Sequence, residues 1–387
     1  MSVLAPADAR EAAEAVSQAA ALGRRLEVRG GGSKAAYGAG ARETVDILDL
    51  SRLSRIVDYD PQELVLTVEA GARLSQIEPM LAAERQMLAF EPPDLGALLG
   101  ASDSGASLGG VLSTNISGPR RLASGAARDH FLGFEAVSGR GLAFKAGGRV
   151  VKNVTGFDLP KLMAGAWGGL AALTTVTVKV VPRPRTTASV LLIGLDPARA
   201  VAAMGAAMRL PVEVSAAAHL PDMGGQPVTA LRVEGFPPSV AARVERLKSE
   251  LKRVGEIVVL DEEDAVELWR TVSEVAPLAG LPGALWRICA PPAAGARLVA
   301  ALAHTDGHWL LDWAGGLLWL SLPEPRASEV RGAAERLGGH ATLVRSDHPA
   351  DAPAFHPEPP ALAALSARVR TAFDPQGVLL DRRSASA

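Results

Sequence analysis

The residues of this chain best suited to chemistry are glycines that bare the backbone and the basic and hydroxyl side chains beside them. Arg29, Gly30, Gly31, Gly32, Ser33 and Lys34 follow a short alternating segment, Leu26 to Arg29. Successive main-chain amides, a hydroxyl and an ammonium at a strand-to-turn junction suit a diphosphate. The spacing is neither GxxxxGK[ST] nor a GxGxxG that opens a helix, so the anion is expected on a turn rather than on a helix dipole. In isolation such a run is more often a flexible turn. Two further glycine-rich stretches, residues 105–115 and 150–175, share this half of the chain. Three of them, each at the edge of an apolar element, suggest a large ligand with a pyrophosphate held along its length.

The second stretch admits two readings. Gly109 and Gly110 let a flat ring lie close to the main chain, with Asn115 and Ser117 as hydrogen-bonding partners, or they serve a tightly packed helix start. In the third stretch, a helix, a turn and a central strand account for residues 173–181 but leave Lys152, Asn153 and Gly156 unexplained.

The elements that must position these loops show in the hydrophobic pattern. Residues 8–22 place Ala12, Val16, Ala19 and Ala20 at helical spacing, with Asp8 as N-cap. Strands are expected over 26–29, 45–49, 55–60 and 64–69, the last alternating with period two, and a helix carries Leu74, Ile77, Met80 and Leu81. Pro182-Arg183-Pro184-Arg185 interrupts regular structure and marks a domain boundary. Beyond it, strands over 189–195, 228–233 and 257–260 and helices over 238–254 and 290–303 suit an α+β domain. Residues 308–313 and 317–320 flank Gly315-Gly316 as a hairpin. Residues 349–360 are proline-rich and lead to a closing helix over 361–372. No repeat is visible in the sequence.

Composition narrows the function classes. The chain has 387 residues, 48% hydrophobic and 21% charged, which makes it globular. Forty basic residues against 42 acidic ones give a net charge of −2, which argues against nucleic acid as a partner. Cys289 is the only cysteine, so neither an internal disulfide nor a cluster ligated by this chain's thiolates is possible. The N-terminus lacks a signal-peptide pattern, and no uninterrupted apolar run of about 18 residues occurs. A cytoplasmic protein is expected.

The motifs DYDPQELVLTVEAG, GGVLSTNISGPRR, ARDHFLG, VKNVTGFDLPKLMAGAWGGL, LPGALWRI, LLDWAGGLLWL and FDPQGV resemble the PCMH-type, or vanillyl-alcohol-oxidase, flavoprotein superfamily. Within it the chain resembles the FAD-binding (E) subunits of bacterial glycolate oxidase over nearly its whole length. The resemblance implies an α+β chain: a PCMH-type FAD-binding domain of two α/β subdomains over 1–184, a smaller α+β, ferredoxin-like cap over 185–348, and a C-terminal return segment with a helix over 349–387. It implies that Gly30 to Lys34 hold the FAD pyrophosphate and that Ser107, Gly110, Asn115 and Gly118 line the flavin and ribityl cleft. Leu173 falls at the adenine-contacting strand, and Arg128-Asp129 braces the cleft. The family's covalent flavin links use a first-loop His or an added Cys, absent at the matching positions, so non-covalent FAD is implied. In one departure, Leu380 stands where the family carries Asn. The chain also lacks the His-rich metal and acid/base signature of the catalytic 2-hydroxy-acid dehydrogenases.

Oxidising a 2-hydroxy acid requires a hydride acceptor, a base and a cation for the carboxylate. Arg287 is the candidate cation and His340 the candidate base; a strand-edge salt-bridging arginine and a loop or strand-end histidine are the plainer alternatives. His304 and His308 sit four apart but enclose a turn-like Thr-Asp-Gly, so no metal site is expected. Trp309, Trp313 and Trp319 suit core packing or a subunit contact. The resemblance implies a complex with a catalytic flavoprotein sister subunit and an iron–sulfur subunit, acting on a small 2-hydroxy acid, with no membrane span of its own. The chain is then cytoplasmic, or peripheral at the inner membrane through that complex. A self-sufficient lactate-type dehydrogenase and a flavin-poor scaffold are the alternatives.

Overall fold

The computed structural model describes residues 1–38, 45–101, 105–149, 156–347 and 353–383. Strand β1 (Val3–Leu4), helix α1 (Ala9–Ala21), β2 (Leu26–Arg29) and β3 (Asp46–Asp49) open the chain, and the strands form a parallel sheet of order β1-β3-β2. Ala12, Val16 and Ala19 make the buried stripe of α1, and the Asp8 carboxylate accepts the Glu11 N–H at 2.8 Å as its N-cap.

The next elements are β4 (Ile56–Asp60), β5 (Val65–Glu69), α2 (Leu74–Ala83), β6 (Gln86–Met87), α3 (Leu108–Thr114), α4 (Arg121–Ser124), β7 (Phe131–Ser138), β8 (Ala143–Gly147), α5 (Leu159–Met163), β9 (Ala171–Lys179) and β10 (Val181–Pro182). Five of the strands make an antiparallel sheet, β4-β5-β9-β7-β8, while β6 and β10 pair as a ribbon. Leu66 and Val68 of β5, Ile77 and Leu81 of α2, Leu108 and Leu112 of α3 and Val176 and Val178 of β9 share one core. That core seats the start of α3 against the main chain of residue 70.

The rest of the fold is one eight-stranded antiparallel sheet and its helices. It runs β11 (Thr186–Ile193), α6 (Pro197–Met208), β12 (Val214–Leu220), β13 (Val228–Gly235), α7 (Pro237–Leu251), β14 (Glu256–Leu260), α8 (Glu262–Ser273), β15 (Ala284–Cys289), α9 (Gly295–Leu302), β16 (His308–Asp312), β17 (Leu317–Leu322), α10 (Ala327–Arg336) and β18 (His340–Arg345). The order β14-β11-β13-β12-β16-β17-β15-β18 contains the same βαββαβ connectivity twice. In each half the last strand lies beside the first, then come the third and the second, and the halves meet where His219 opposes Leu311. The cap is thus a tandem of two ferredoxin-like units, a repeat that the sequence does not show. The helix expected over 290–303 begins later, because Pro291 and Pro292 confine the chain to a 3-10 turn before α9. The final helix, α11, spans Pro360–Phe373.

Period-two alternation gives this sheet two unlike faces. Leu192, Val233, Trp286 and Leu320 pack under α6, α7, α9 and α10. Their strand neighbours point the other way, toward α8 and the first half of the chain, where Leu285 and Trp319 share a cluster with Tyr37, Leu95 and Ile116. This second face also carries Arg232, Glu234, Arg287 and Cys289.

Candidate functional site

β2 delivers the chain into the glycine loop. Gly32 has φ +76°, a left-handed conformation that glycine adopts without strain. Gly31 is required by contact with backbone, and Gly30 sits hard against a side chain. A Cβ on Gly30 would stand 2.3 Å from Ser107 Oγ, and one on Gly31 would stand 2.0 Å from the Gly105 carbonyl oxygen. Ser107 ties the loop to α3, its hydroxyl accepting the N–H of Gly31 at 3.4 Å and of Gly110 at 3.3 Å. Loop and helix border a cleft whose lining is completed by Trp167, Gly168, Leu173 and Arg382, among others.

Four charged side chains line this cleft, three cations against the single carboxylate of Glu27. Glu27 accepts from Arg29 Nη2 at 2.8 Å and also pairs with Arg382. Arg382 in addition donates to the carbonyls of Lys34 and Ala35, each at 3.0 Å. Lys34 is buried, and its ammonium has one hydrogen-bond partner among the described residues, the Ser33 hydroxyl at 3.4 Å. Burial lowers its pKa to about 8, with the Asp94 carboxylate opposing. Arg29 Nε is buried with no hydrogen-bond partner. Buried polar groups are normally satisfied, so a surplus of cations and an orphaned donor describe a site shaped for an anion.

Of the residues singled out in the sequence, the structure gathers Arg29, Gly30, Gly31, Gly32, Ser33, Lys34, Ser107, Gly109, Gly110 and Leu173 around this cleft. Gly109 has a packing reason as well, since its Cβ would lie 2.6 Å from the Ala70 carbonyl oxygen. Asn115, Gly118, Arg128, Asp129 and Gly156 lie outside the lining. Asn115 ends α3 in the left-handed region and accepts the Arg128 N–H at 3.0 Å, and Asp129 accepts the Ala126 N–H at 2.8 Å. These two carboxamide and carboxylate groups brace the segment after α4. Lys152 and Asn153 fall outside the described residues.

Arg382 was not foreseen. Asp374 accepts the N–H of Val378 at 3.0 Å and of Leu379 at 2.7 Å, turning the chain back. Leu379 then bridges Leu26 in parallel, with Leu380 N–H donating to the Leu26 carbonyl at 2.8 Å. The C-terminal segment therefore reaches the cleft through Arg382, although Leu380 departs from the family pattern.

A second group of charges lies where the eight-stranded sheet meets α4. Arg232 donates both Nη atoms to Glu91 at 2.8 Å, and Arg120 pairs with Glu234 through Nε at 3.0 Å and Nη2 at 2.6 Å. Burial pushes Glu234 up, but Arg120 and Arg232 outweigh it and hold its carboxyl at about 2. Nearby, Trp313 is anchored by Nε1 donating to the Gly118 carbonyl at 3.1 Å. Arg287 stacks over Trp313 with its guanidinium carbon 5.0 Å from the ring centroid, and its Nη1 donates to Cys289 Sγ at 3.2 Å. His340 is the cross-strand neighbour of Cys289 and is exposed. His304 and His308 lie on a 3-10 turn and on β16, not on one helix, and no group of metal-ligating side chains occurs among the described residues.

Residues 2–147 match the model of the FAD binding domain family. The chain is 33% identical over 366 residues to the glycolate oxidase subunit GlcE of Escherichia coli, covering 94% of both chains. It is 31% identical over 165 residues to the glycolate oxidase subunit GlcD of Bacillus subtilis, covering 43% of this chain and 33% of that one. Its fold matches p-cresol methylhydroxylase with a TM-score of 0.75 at 15% identity, over 99% of this chain and 88% of the other. The chain belongs to the GlcE family of glycolate oxidase subunits, and its first part is an FAD binding domain.

Proposed function

We propose that this member of the GlcE family is the FAD-carrying subunit of a complex that oxidises glycolate to glyoxylate. The observation that carries the proposal is the buried Lys34 ammonium beside the glycine loop, with no carboxylate paired to it among the described residues. The residues present fit a diphosphate-bearing cofactor. The amides of Gly30 to Ser33 and the Lys34 ammonium hold the diphosphate, Ser107 keeps loop and α3 in register, and Trp167 and Leu173 give apolar wall. Arg382 holds the far side of the loop through its carbonyls. The described lining contains neither histidine nor cysteine, which supports non-covalent binding. Bound FAD supplies a two-electron acceptor.

In this reading residues 1–184 form the cofactor domain, 185–348 the cap and 349–387 the return segment. A sister flavoprotein subunit and an iron–sulfur subunit complete the complex. The single cysteine supports this, because electrons leaving the flavin need a carrier that this chain's thiolates cannot build. No helix among the described residues is long and apolar enough to cross a membrane.

Anaerobic addition of glycolate to the purified, FAD-loaded chain tests the role of its flavin. A flavin that stays oxidised until the sister subunit is added supports a relay within the complex. Bleaching of the isolated chain makes it a self-sufficient dehydrogenase instead.

A further inference from the structure

Arg287 does not stand alone over Trp313. Arg121 of α4 lies over the same ring, 4.6 Å from its centroid, so the two guanidinium charges sit within about one Debye length of each other, ~10 Å. Both are half-buried, and neither has a carboxylate within ion-pair distance among the described residues. Trp319 adds a second ring, 6.0 Å from Arg287. Arg232 on the same sheet face is the internal control. It too stacks on an indole, Trp269 at 4.7 Å, but Glu91 neutralises it in bidentate fashion.

We infer that Arg121 and Arg287 form a binding site for a small organic carboxylate between α4 and the eight-stranded sheet, with Trp313 as its floor. The inference rests on the reading above only in that the complex handles a small 2-hydroxy acid, which is the carboxylate this site would take. Planar guanidinium forks match a carboxylate, and an indole floor suits a ligand with one charged end and a small carbon body. The floor is held firmly. Trp313 and Ala314 have φ of +52° and +56°, and the Trp313 indole is tied to Gly118 across the domain contact. The Trp313 main-chain N–H donates to Asp312 Oδ1 at 2.7 Å.

The neighbouring Cys289 responds to this positive charge, and Asp312 does little to cancel it. Burial pushes the Cys289 thiol up, yet Arg287, His340 and Arg121 outweigh it and bring the thiol below its ordinary value. Burial likewise raises the Asp312 carboxyl to about 7, against the bond from Trp313, so this acid only partly offsets the arginines near neutral pH. Tyr37, within the field of Arg287, packs at 4.6 Å against Trp167 of the cofactor cleft, which links the two sites through one aromatic contact.

Calorimetric titration of the full-length, FAD-loaded chain with oxalate tests the site, with ethylene glycol and inorganic phosphate as comparison probes. The expected result is saturable oxalate binding, weaker binding of phosphate and none of ethylene glycol. Arg121→Gln and Arg287→Gln should each weaken oxalate by about 10- to 100-fold, the worth of a charge-assisted bond. Arg287→Lys should recover part of that loss, and unchanged melting transitions show that the variants fold. Oxalate affinity that is unchanged in both glutamine variants, or phosphate bound more tightly than oxalate, overturns the inference. Flavin content, read from the visible band of each sample, reports on the cofactor reading separately; a chain without flavin contradicts that reading while the oxalate titration still decides this one.

Discussion

Arg232 and Arg287 share a sheet face and each lies over an indole, yet their surroundings differ in one respect. Arg232 is almost fully enclosed and meets Glu91 through both of its Nη atoms, in a network that Arg120 and Glu234 complete. Arg287 is half-buried and meets a thiol, two indoles and a second guanidinium. The first region is charge-balanced and joins the cap to the cofactor domain; the second carries an excess of positive charge, as the glycine-loop cleft does. An arginine on an aromatic ring is therefore not informative by itself. What separates a structural latch from a binding site is whether its counter-charge is already present in the fold.

If that distinction is right, disturbing the latch costs stability and disturbing the unpaired cations costs binding. The largest effect is expected from Glu91→Ala, which strips buried Arg232 of its bidentate partner and leaves it only Glu234 at 3.7 Å, and should lower unfolding free energy by about 3 kcal/mol, the low end for breaking a buried pair. Urea denaturation measures it, and adding Arg232→Leu to that variant should recover part of the loss. Next, Lys34→Met should weaken FAD by about 10- to 100-fold in a fluorescence titration, with the stability of the flavin-free chain unchanged or raised, because an unneutralised buried charge has been removed.

The pH dependence of FAD affinity separates the same two cases. Burial holds Lys34 at about 8 in the flavin-free chain, below its ordinary 10.5, and a bound diphosphate favours its protonated form. Affinity should be flat in pH below about 8 as far as Lys34 is concerned. Above it, affinity should fall by at most about tenfold per unit, and this fall should be missing in Lys34→Met. The flavin-free chain behaves oppositely, since its depressed lysine makes folding more favourable as pH rises from about 8 toward 10.5. The smallest effect is expected from Arg287→Leu, which forfeits stacking but relieves repulsion with Arg121 and should change unfolding free energy by about 1 kcal/mol or less. A loss as large as that of Glu91→Ala would erase the contrast between the two regions.

Much of the glycine-loop cleft was legible because it is local. A strand, three glycines, a serine and a lysine are contiguous, and their chemistry follows from residue type. Gly109 was ambiguous in the sequence because glycine serves both a close-lying ligand and a close-lying backbone, and Ala70, which supplies the packing reason, is distant in sequence. Arg382 and Arg121 were not legible. The first reaches the cleft only through the parallel bridge between Leu26 and Leu379, and the second sits in a Pro-Arg-Arg run that reads as surface. The tandem cap was hidden for another reason. β12 (VSAAAHL) and β17 (LLWLSL) are buried on both faces, so the period-two signal that would expose matching strands is absent.

In the proposed reading, the cleft between the glycine loop and α3 holds FAD without a covalent bond. The most direct measurement is to load the purified chain with FAD, remove free flavin by gel filtration, then precipitate the protein with acid and record the visible spectrum of both fractions. Flavin should stay with the folded chain through the column and be released wholly into the supernatant. A chain that emerges without flavin, or flavin that stays in the pellet, would contradict it.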